Sequence, residues 1–284
     1  MIHRKDIGRT VICILGAIVI GACHQEGRKD SEGDKDEAHG LVVAQELSNS
    51  RVQCIEEDKT GQLWIATFRG LNRYDGHEYH QYFCTDDSMG LPDNNVQGLL
   101  CDKQGRLWVA TVNGVCRYTR KDNFERIPMQ TGNCNARKLL TDSRGRIFVY
   151  NGTELLMYDE VQHIFLSRIN RTMTNQSWGD CFIDAADDIL LVGPENLLIY
   201  SGEDFKQRME LRHPAGTNFY YFDLLSNGLM LSSGNGTLMI FDTKARQRIP
   251  LSPEMETRLL AHNNVVQAAC LLNNNTILLS TSHL

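Results

Sequence analysis

The chain has 284 residues, of which 42% are hydrophobic, and this length is ordinary for one all-β domain with a large core. Its formal net charge of −6 argues against a nucleic-acid-binding surface, which needs clustered lysine and arginine side chains. The nine cysteines form no CxxC pair and no recognisable metal-ligand spacing. We therefore predict neither a metal site nor a cofactor, and we assign no disulfide.

The first 23 residues have the layout of a secretory signal. A positively charged start is followed by an apolar run from Val11 to Ile20 and by small residues before Cys23. The run is too short for a comfortable membrane span. The Ile-Gly-Ala-Cys sequence ending at Cys23 resembles the lipobox of bacterial lipoproteins, which implies that this cysteine is lipidated and tethers an exported, periplasmic chain to a membrane. Ordinary cleavage nearby and an uncleaved anchor are the alternatives.

Residues 24–40 read HQEGRKDSEGDKDEAHG and contain Ala38 as their only aliphatic side chain. A segment so rich in charge buries too little apolar surface to offset the entropy cost of ordering it. We predict a flexible linker here, followed by a folded domain over residues 41–284.

The folded region repeats itself. The stretch DKTGQLWIATFRGLNRY at residues 58–74 returns as DKQGRLWVATVNGVCRY at residues 102–118. Weaker copies follow, and all six can be aligned on the large apolar residue after the first turn, with spacings of 44, 40, 42, 40 and 48 residues. These aligned residues are Trp64, Trp108, Phe148, Leu190, Met230 and Leu278.

Each copy predicts four short strands and no helix. In the first copy, VQCIEE and LWIAT are β-type runs separated by Asp-x-x-Gly, and Thr-x-x-Gly leads into a third run, GLNRY. Four strands in a repeat of about 40 to 50 residues are typical of a β-propeller blade. A single blade cannot bury both of its faces, so we expect Trp64 and Trp108 to pack between neighbouring blades.

The first two copies closely resemble the two-component regulator propeller repeat, and the second has the Asn-Asn-Val lead-in of that repeat at residues 94–96. The resemblance is strong over residues 49–118, fair to Tyr158 and only blade-like beyond. It implies the periplasmic sensor region of a Bacteroidetes hybrid two-component system, which recognises oligosaccharides and controls polysaccharide use. In that family two propellers and a β-sandwich precede a membrane span, a histidine kinase and a DNA-binding regulator, so these domains, or a homodimer, are the implied partners.

Two features depart from that family pattern. Six repeats fall short of the seven blades that it implies, and the last copy stops before its third strand. We therefore predict a fragment with an incomplete seven-bladed ring and no kinase. We also expect Leu41-Val42-Val43 to pair with the open last blade and close the ring.

Strand order predicts where a ligand would bind. The loop that enters each blade and the Thr-x-x-Gly turn lie at the same end of a blade, and this end commonly holds propeller ligands. It would carry asparagine and arginine side chains, which suit sugar hydroxyls and carboxylates but also occur in turns for backbone reasons. The candidate ligand-binding residues are Asn49, Arg51, Arg69, Asn94, Asn95, Asn113, Asn135, Arg137 and Asn151.

Two other function classes stay open. A propeller lyase or hydrolase is one, although the sequence contains neither a Gly-x-Ser-x-Gly nor a His-Glu-x-x-His motif. A membrane-anchored protein-interaction propeller is the other. The HEYH stretch at residues 77–80 suggests a metal pair, but on a strand His77 and His80 would point to opposite faces. We predict that this region is not an enzyme.

Overall fold

The computed structural model describes residues 41–119, 121–170, 179–214, 219–234, 236–261, 266–273 and 276–281. They fall into two compact units. Unit 1 holds the described residues up to Pro128 together with Cys134–Ala136, and unit 2 holds Met129–Asn133 and the described residues from Arg137 onward. The predicted signal, Cys23 and the charged linker of residues 24–40 lie outside the described residues.

Unit 1 consists of two antiparallel sheets. The strands of the first are β1 Leu41–Ala44, β2 Val52–Glu57, β3 Leu63–Thr67, β4 Gly70–Tyr74 and β5 Tyr79–Tyr82. Those of the second are β6 Val96–Cys101, β7 Leu107–Thr111, β8 Gly114–Thr119 and β9 Asn123–Ile127. The strand orders are β1-β5-β4-β3-β2 and β6-β7-β8-β9, so each repeat forms one meander of four consecutive strands.

Unit 2 continues the same pattern with three four-stranded sheets and a hairpin. The third sheet contains β10 Lys138–Thr141, β11 Ile147–Tyr150, β12 Glu154–Asp159 and β13 Ile164–Asn170. The fourth contains β14 Asp180–Ile183, β15 Ile189–Val192, β16 Asn196–Tyr200 and β17 Gln207–Arg212. The fifth contains β18 Tyr221–Leu224, β19 Leu229–Gly234, β20 Thr237–Asp242 and β21 Gln247–Ile249, and it is followed by helix α1 Pro253–Ala261 and the hairpin β22 Val266–Asn273 and β23 Thr276–Thr281.

The repeat alignment is confirmed strand by strand. The six aligned residues lie in β3, β7, β11, β15, β19 and β23, the second strand of each copy. The first five are at most 1% exposed, whereas Leu278 in the two-stranded sixth copy is 55% exposed. Within each unit the apolar clusters join neighbouring sheets, as the cluster that contains both Trp64 and Val109 does. Stacking therefore buries what a single blade would expose.

The prediction for Leu41-Val42-Val43 is wrong. Strand β1 pairs antiparallel with β5, from Leu41 opposite Tyr82 to Ala44 opposite Tyr79, and so becomes the outer strand of the first sheet. Leu41 packs against the core of unit 1, while Val42 and Val43 are 41% and 44% exposed. Strand β1 thus gains backbone hydrogen bonds and apolar contacts from the first repeat, which is the nearest repeat along the chain.

The expectation that residues 41–284 contain no helix is also wrong. Helix α1 begins with a cap at Ser252, whose hydroxyl oxygen accepts a hydrogen bond from the backbone N–H of Met255 at 3.3 Å. Pro253 occupies the first helical position, and Glu254 and Glu256 place negative charge in the first turn. These are local helix-start signals, which a search for apolar periodicity overlooks. No helix in the described part of the chain is long and apolar enough to span a bilayer.

The Asp-x-x-Gly turn is built by the side chain of its aspartate. In the second copy, Asp102 is fully buried and accepts hydrogen bonds from the backbone N–H groups of Gln104 at 2.9 Å and Arg106 at 2.8 Å and from the indole N–H of Trp108 at 2.9 Å. Gly105 closes the turn at φ +81°, a conformation that costs glycine little. In the first two copies the turn aspartate therefore holds the tryptophan of the strand that follows it.

A second aspartate ties the two sheets of unit 1 together. Asp122, the last residue of the turn before β9, accepts hydrogen bonds through one oxygen from Tyr82 at 2.5 Å, Tyr118 at 2.9 Å and Arg73 at 2.9 Å. Burial alone would raise the pKa of Asp122, but the hydrogen bonds from both tyrosines and the charge of Arg73 outweigh it, and the pKa is lowered. Because Arg73 and Tyr82 belong to the first sheet, this carboxylate acts as a polar link between neighbouring repeats.

Candidate functional site

The predicted ligand-binding residues of unit 1 lie at one end of its sheets. Strand pairing places Val52 opposite Thr67 and Val96 opposite Thr111, so the loops entering β2 and β6 meet the turns that follow β3 and β7. Backbone hydrogen bonds join the loops to the turns, as from Gly70 to the carbonyl of Asn94 at 2.6 Å. We call this end the loop face of unit 1. It comprises Asn49, Arg51, Phe68, Arg69, Asn94, Asn95, Val112, Asn113 and Asn135.

Each Thr-x-x-Gly turn of the loop face has the same rigid frame. The hydroxyl of Thr67 donates to the carbonyl of Gly70 at 2.8 Å and accepts from the backbone N–H of Arg69 at 3.1 Å. Thr111 makes the same pair of bonds in the next repeat, at 2.9 and 3.3 Å. The two residues inside the frame differ, however: Phe68-Arg69 in one copy and Val112-Asn113 in the other. The frame is structural, and the residues that it presents to solvent vary.

Phe68 is the main feature that sequence reasoning missed. Its side chain is 46% exposed, so the turn presents an aromatic ring to solvent at the loop face. The guanidinium carbon of Arg51 lies 4.9 Å from the centre of its ring, a cation–π contact across the end of the sheet. The sequence does contain a sign of this feature, because the first Thr-x-x-Gly turn has Phe68 where the second has Val112.

The asparagines of the loop face divide into engaged and available groups. The side-chain oxygen of Asn49 accepts a hydrogen bond from the backbone N–H of Arg51 at 2.9 Å, and that of Asn94 accepts one from Cys84 at 2.7 Å. The side-chain oxygen of Asn95 is buried without a hydrogen-bond partner among the described residues, and Asn113 is exposed. Asn49 and Asn94 therefore shape the face, whereas the exposed side chain of Asn113 is accessible to a ligand.

Asn135 occupies the same end of the second sheet. The residue after it, Ala136, donates a backbone hydrogen bond to the carbonyl of Thr111 at 2.9 Å, which places the segment beside the end of β7. Asn135 itself is partly buried.

The remaining two predicted residues belong to unit 2. The amide oxygen of Asn151 accepts from the backbone N–H groups of Thr153 at 3.0 Å and Glu154 at 2.7 Å, and its amide nitrogen donates to the carbonyl of Asn133 at 3.0 Å. Asn151 is 1% exposed and serves its own turn. Arg137 is exposed, and its guanidinium lies against Gly152, where an added Cβ would approach it to 2.9 Å.

A set of possible metal ligands lies at the turn between β4 and β5, away from the loop face. The Nε2 atom of His80 is 3.3 Å from a carboxylate oxygen of Asp75 and 3.8 Å from one of Glu78, and the three ligand atoms lie within 4.8 Å of one another. The backbone N–H groups of Glu78 and His77 lower the pKa of Asp75 to about 2. The imidazole of His77 is not in this set, so the HEYH stretch contributes one of its two histidines. Hydrogen bonds to Asp75 from the backbone N–H groups of His77 and Glu78 and from the imidazole of His80 explain why these side chains lie close together.

Comparison with known proteins matches the two strongest copies to one repeat family. Residues 46–69 and 90–113 match the two-component regulator propeller model. A segment of 36 residues is 56% identical to histidine kinase P4 of Formosa agariphila, and it amounts to 13% of this chain and 3% of that protein. The chain thus carries two-component regulator propeller repeats, and it spans a small part of the kinase that it matches.

Solved structures establish the fold. An extracellular domain assigned to a hybrid two-component system of B. thetaiotaomicron superimposes with a TM-score of 0.60 at 19% identity, covering 73% of this chain and 30% of that one. A second such domain from the same organism gives 0.63 at 17% identity over 85% and 34%. Virginiamycin B lyase from Staphylococcus aureus gives 0.59 at 12% identity over 84% and 87%. The chain has a β-propeller-type fold and spans about a third of the receptor domains that it resembles.

Proposed function

We propose that the chain is the ligand-sensing propeller of a two-component signalling system outside the cytoplasm, and that the loop face of unit 1 binds an oligosaccharide. One observation carries this proposal. The repeat keeps its buried tryptophan, alanine and threonine and its turn frame between copies, while the pair inside the frame changes from exposed Phe68-Arg69 to partly buried Val112 and exposed Asn113. A constant frame with variable exposed residues is the arrangement expected of a recognition surface on a rigid scaffold.

The chemistry of the face suits a sugar. The apolar side of a pyranose ring can lie on an exposed aromatic ring such as Phe68, and sugar hydroxyl groups can accept from Arg69 and bond the exposed amide of Asn113. The repeat match and the similarity to extracellular domains of two-component systems support a sensor of such a system.

The proposal includes export and attachment. Residues 1–23 would direct the chain across the cytoplasmic membrane, and lipidated Cys23 with the linker of residues 24–40 would tether it in the periplasm. A signal would leave through a second copy or through further propeller, β-sandwich and kinase domains, and the match of one segment to a histidine kinase supports a place in such a system.

Thermal unfolding of the purified chain with a panel of plant and host oligosaccharides tests this function. A ligand of the native state at about 100 times its Kd stabilises that state by about 2.7 kcal/mol, so one glycan should raise the melting temperature. The variant Phe68→Ala should lose this increase, whereas the matched variant Val112→Ala in the other turn should lose less of it. Stability indifferent to every glycan would refute the sugar sensor and favour a protein-interaction propeller.

One observation favours the lyase class. The chain covers 87% of virginiamycin B lyase, but only about a third of the receptor domains. Mass spectrometry of each glycan after incubation with the chain separates the two classes. A cleaved product formed in proportion to protein would support the enzyme.

A further inference from the structure

Two arginines of unit 1 differ from the others that the structure describes there. Four of the six have acceptors for their N–H groups: Arg73 bonds Asp122, Arg106 bonds Asp102, Arg117 bonds Glu125, and Arg126 bonds the carbonyls of Asp87, Gly90 and Leu91. Arg51 and Arg69 have no hydrogen-bond acceptor and no carboxylate partner among the described residues of the unit. Both are exposed, and both belong to the loop face.

The two guanidinium groups are attached to an ordered frame. Arg69 follows Phe68 inside the Thr-x-x-Gly turn, whose backbone is fixed by Thr67 and by Gly70 at φ +110°. Arg51 lies across the end of the sheet, joined to Phe68 by a backbone hydrogen bond of 3.0 Å and by the ring contact of 4.9 Å. Phe68 therefore contacts one exposed arginine and precedes a second in the same turn, and neither guanidinium has an acceptor among the described residues of the unit.

The carboxylates of the neighbouring loop form no ion pair with these two arginines in the described part of the unit. Asp93 and Asp87 lie in the loop that leads to Asn95, and each accepts a hydrogen bond from a backbone N–H two residues further along its own turn. The chain as a whole is acidic, with a net charge of −6. Arg51 and Arg69 are therefore two exposed cations without an ion-pair partner in their unit, on a chain that is acidic overall.

We infer that the oligosaccharide bound at the loop face is acidic, carrying the carboxylate of a uronic acid or a sulfate group that Arg51 and Arg69 bind while a sugar ring stacks on Phe68. The inference rests on the proposed function and adds the charge of the ligand. A planar guanidinium presents paired N–H donors that match the two oxygens of a carboxylate or sulfate, and a neutral sugar offers no such group.

Calorimetric titration of the purified chain tests the inference with matched ligands. The panel holds neutral galacto-oligosaccharides, oligogalacturonides of the same length, and sulfated galacto-oligosaccharides, so the last two separate carboxylate from sulfate. We expect binding of one acidic series only, with an affinity that falls as NaCl is raised from about 0.05 to about 0.5 M, because salt screens exposed charges. Equal binding of the neutral series would overturn the inference and leave the sugar sensor standing.

Substitutions locate the interaction. Arg51→Gln and Arg69→Gln should each weaken binding of the acidic ligand about tenfold, the usual effect of losing one charge-assisted hydrogen-bonding group. Arg208→Gln is the matched control, since it removes the same charge from an exposed position on β17 in unit 2. An equal loss with the control variant would show non-specific attraction and overturn the inference. If no oligosaccharide of any charge binds, the proposed function itself fails.

Discussion

Replacing Asp102 with alanine should destabilise unit 1 by about 4 kcal/mol. The carboxylate is fully buried, and it accepts hydrogen bonds from two backbone N–H groups of the turn and from the indole N–H of Trp108. Hydrogen bonds to a charged acceptor contribute about 1.5 kcal/mol each at the low end, and three of them give about 4 kcal/mol. The indole N–H of buried Trp108 would lose its carboxylate acceptor, which is the costliest part of the change.

The first repeat supplies a matched comparison. Asp58 makes the corresponding bonds to Thr60, Gln62 and the indole of Trp64, but it is only partly buried. Water can replace part of what Asp58→Ala removes, so we expect a loss of about 2 kcal/mol for that variant.

Urea unfolding followed by circular dichroism measures both variants. A double-mutant cycle with Trp108→Phe should show coupling with Asp102→Ala of about 1 to 2 kcal/mol, because phenylalanine removes the donor that the carboxylate serves. An equal loss for Asp58→Ala and Asp102→Ala, or the absence of coupling to Trp108, would refute the reasoning.

The same carboxylate should make stability depend on pH. Burial alone would raise the pKa of Asp102, but the hydrogen bonds from Trp108 and Arg106 outweigh it and hold the pKa below its ordinary value of 3.8. A lowered folded-state pKa contributes stability that is present above pH 3.8 and is lost as the pH falls through the folded-state value. Asp102→Asn should flatten this acid limb of the stability curve, and an unchanged slope would contradict the assignment.

Three further outcomes follow from buried polar groups. Asp122→Asn should lower the free energy of unfolding of unit 1 by about 2 kcal/mol, because it removes the negative charge to which two tyrosines and an arginine donate hydrogen bonds. Unchanged urea denaturation would argue against Asp122 as a polar link between the two sheets. Burial raises the pKa of Asp184, so its negative charge lowers the free energy of unfolding as the pH rises above 3.8. At pH 7, Asp184→Asn should therefore lower the free energy of unfolding less than Asp102→Asn does. The opposite order in urea unfolding would exclude this effect. Burial also raises the pKa of the Cys116 thiol, whereas Cys134 is exposed. Iodoacetamide at pH 8 should therefore label Cys134 in the native chain and Cys116 only after unfolding, as measured by peptide mass spectrometry. Labelling of Cys116 in the native chain would contradict its burial.

The sequence by itself determined the repeat, its strands and its turns. The partners within each turn lie close together in sequence: Asp102 and its indole partner Trp108 are six residues apart, and Gly105 closes the turn between them. Because these partners are close in sequence, the same spacing of turn residues can be recognised in the next copy of the repeat. The loop face could also be located, because strand alternation decides which turns share an end.

Tertiary structure decided what depends on distant neighbours. Strand β1 pairs with β5 because Leu41 reaches the core of unit 1, and no local pattern distinguishes that edge from the open last repeat. Asp122 becomes a link because Tyr82, 40 residues earlier, reaches it across two sheets. The exposure of Phe68, and the absence of acceptors around Arg51, likewise depend on which side chains the folded sheets leave uncovered.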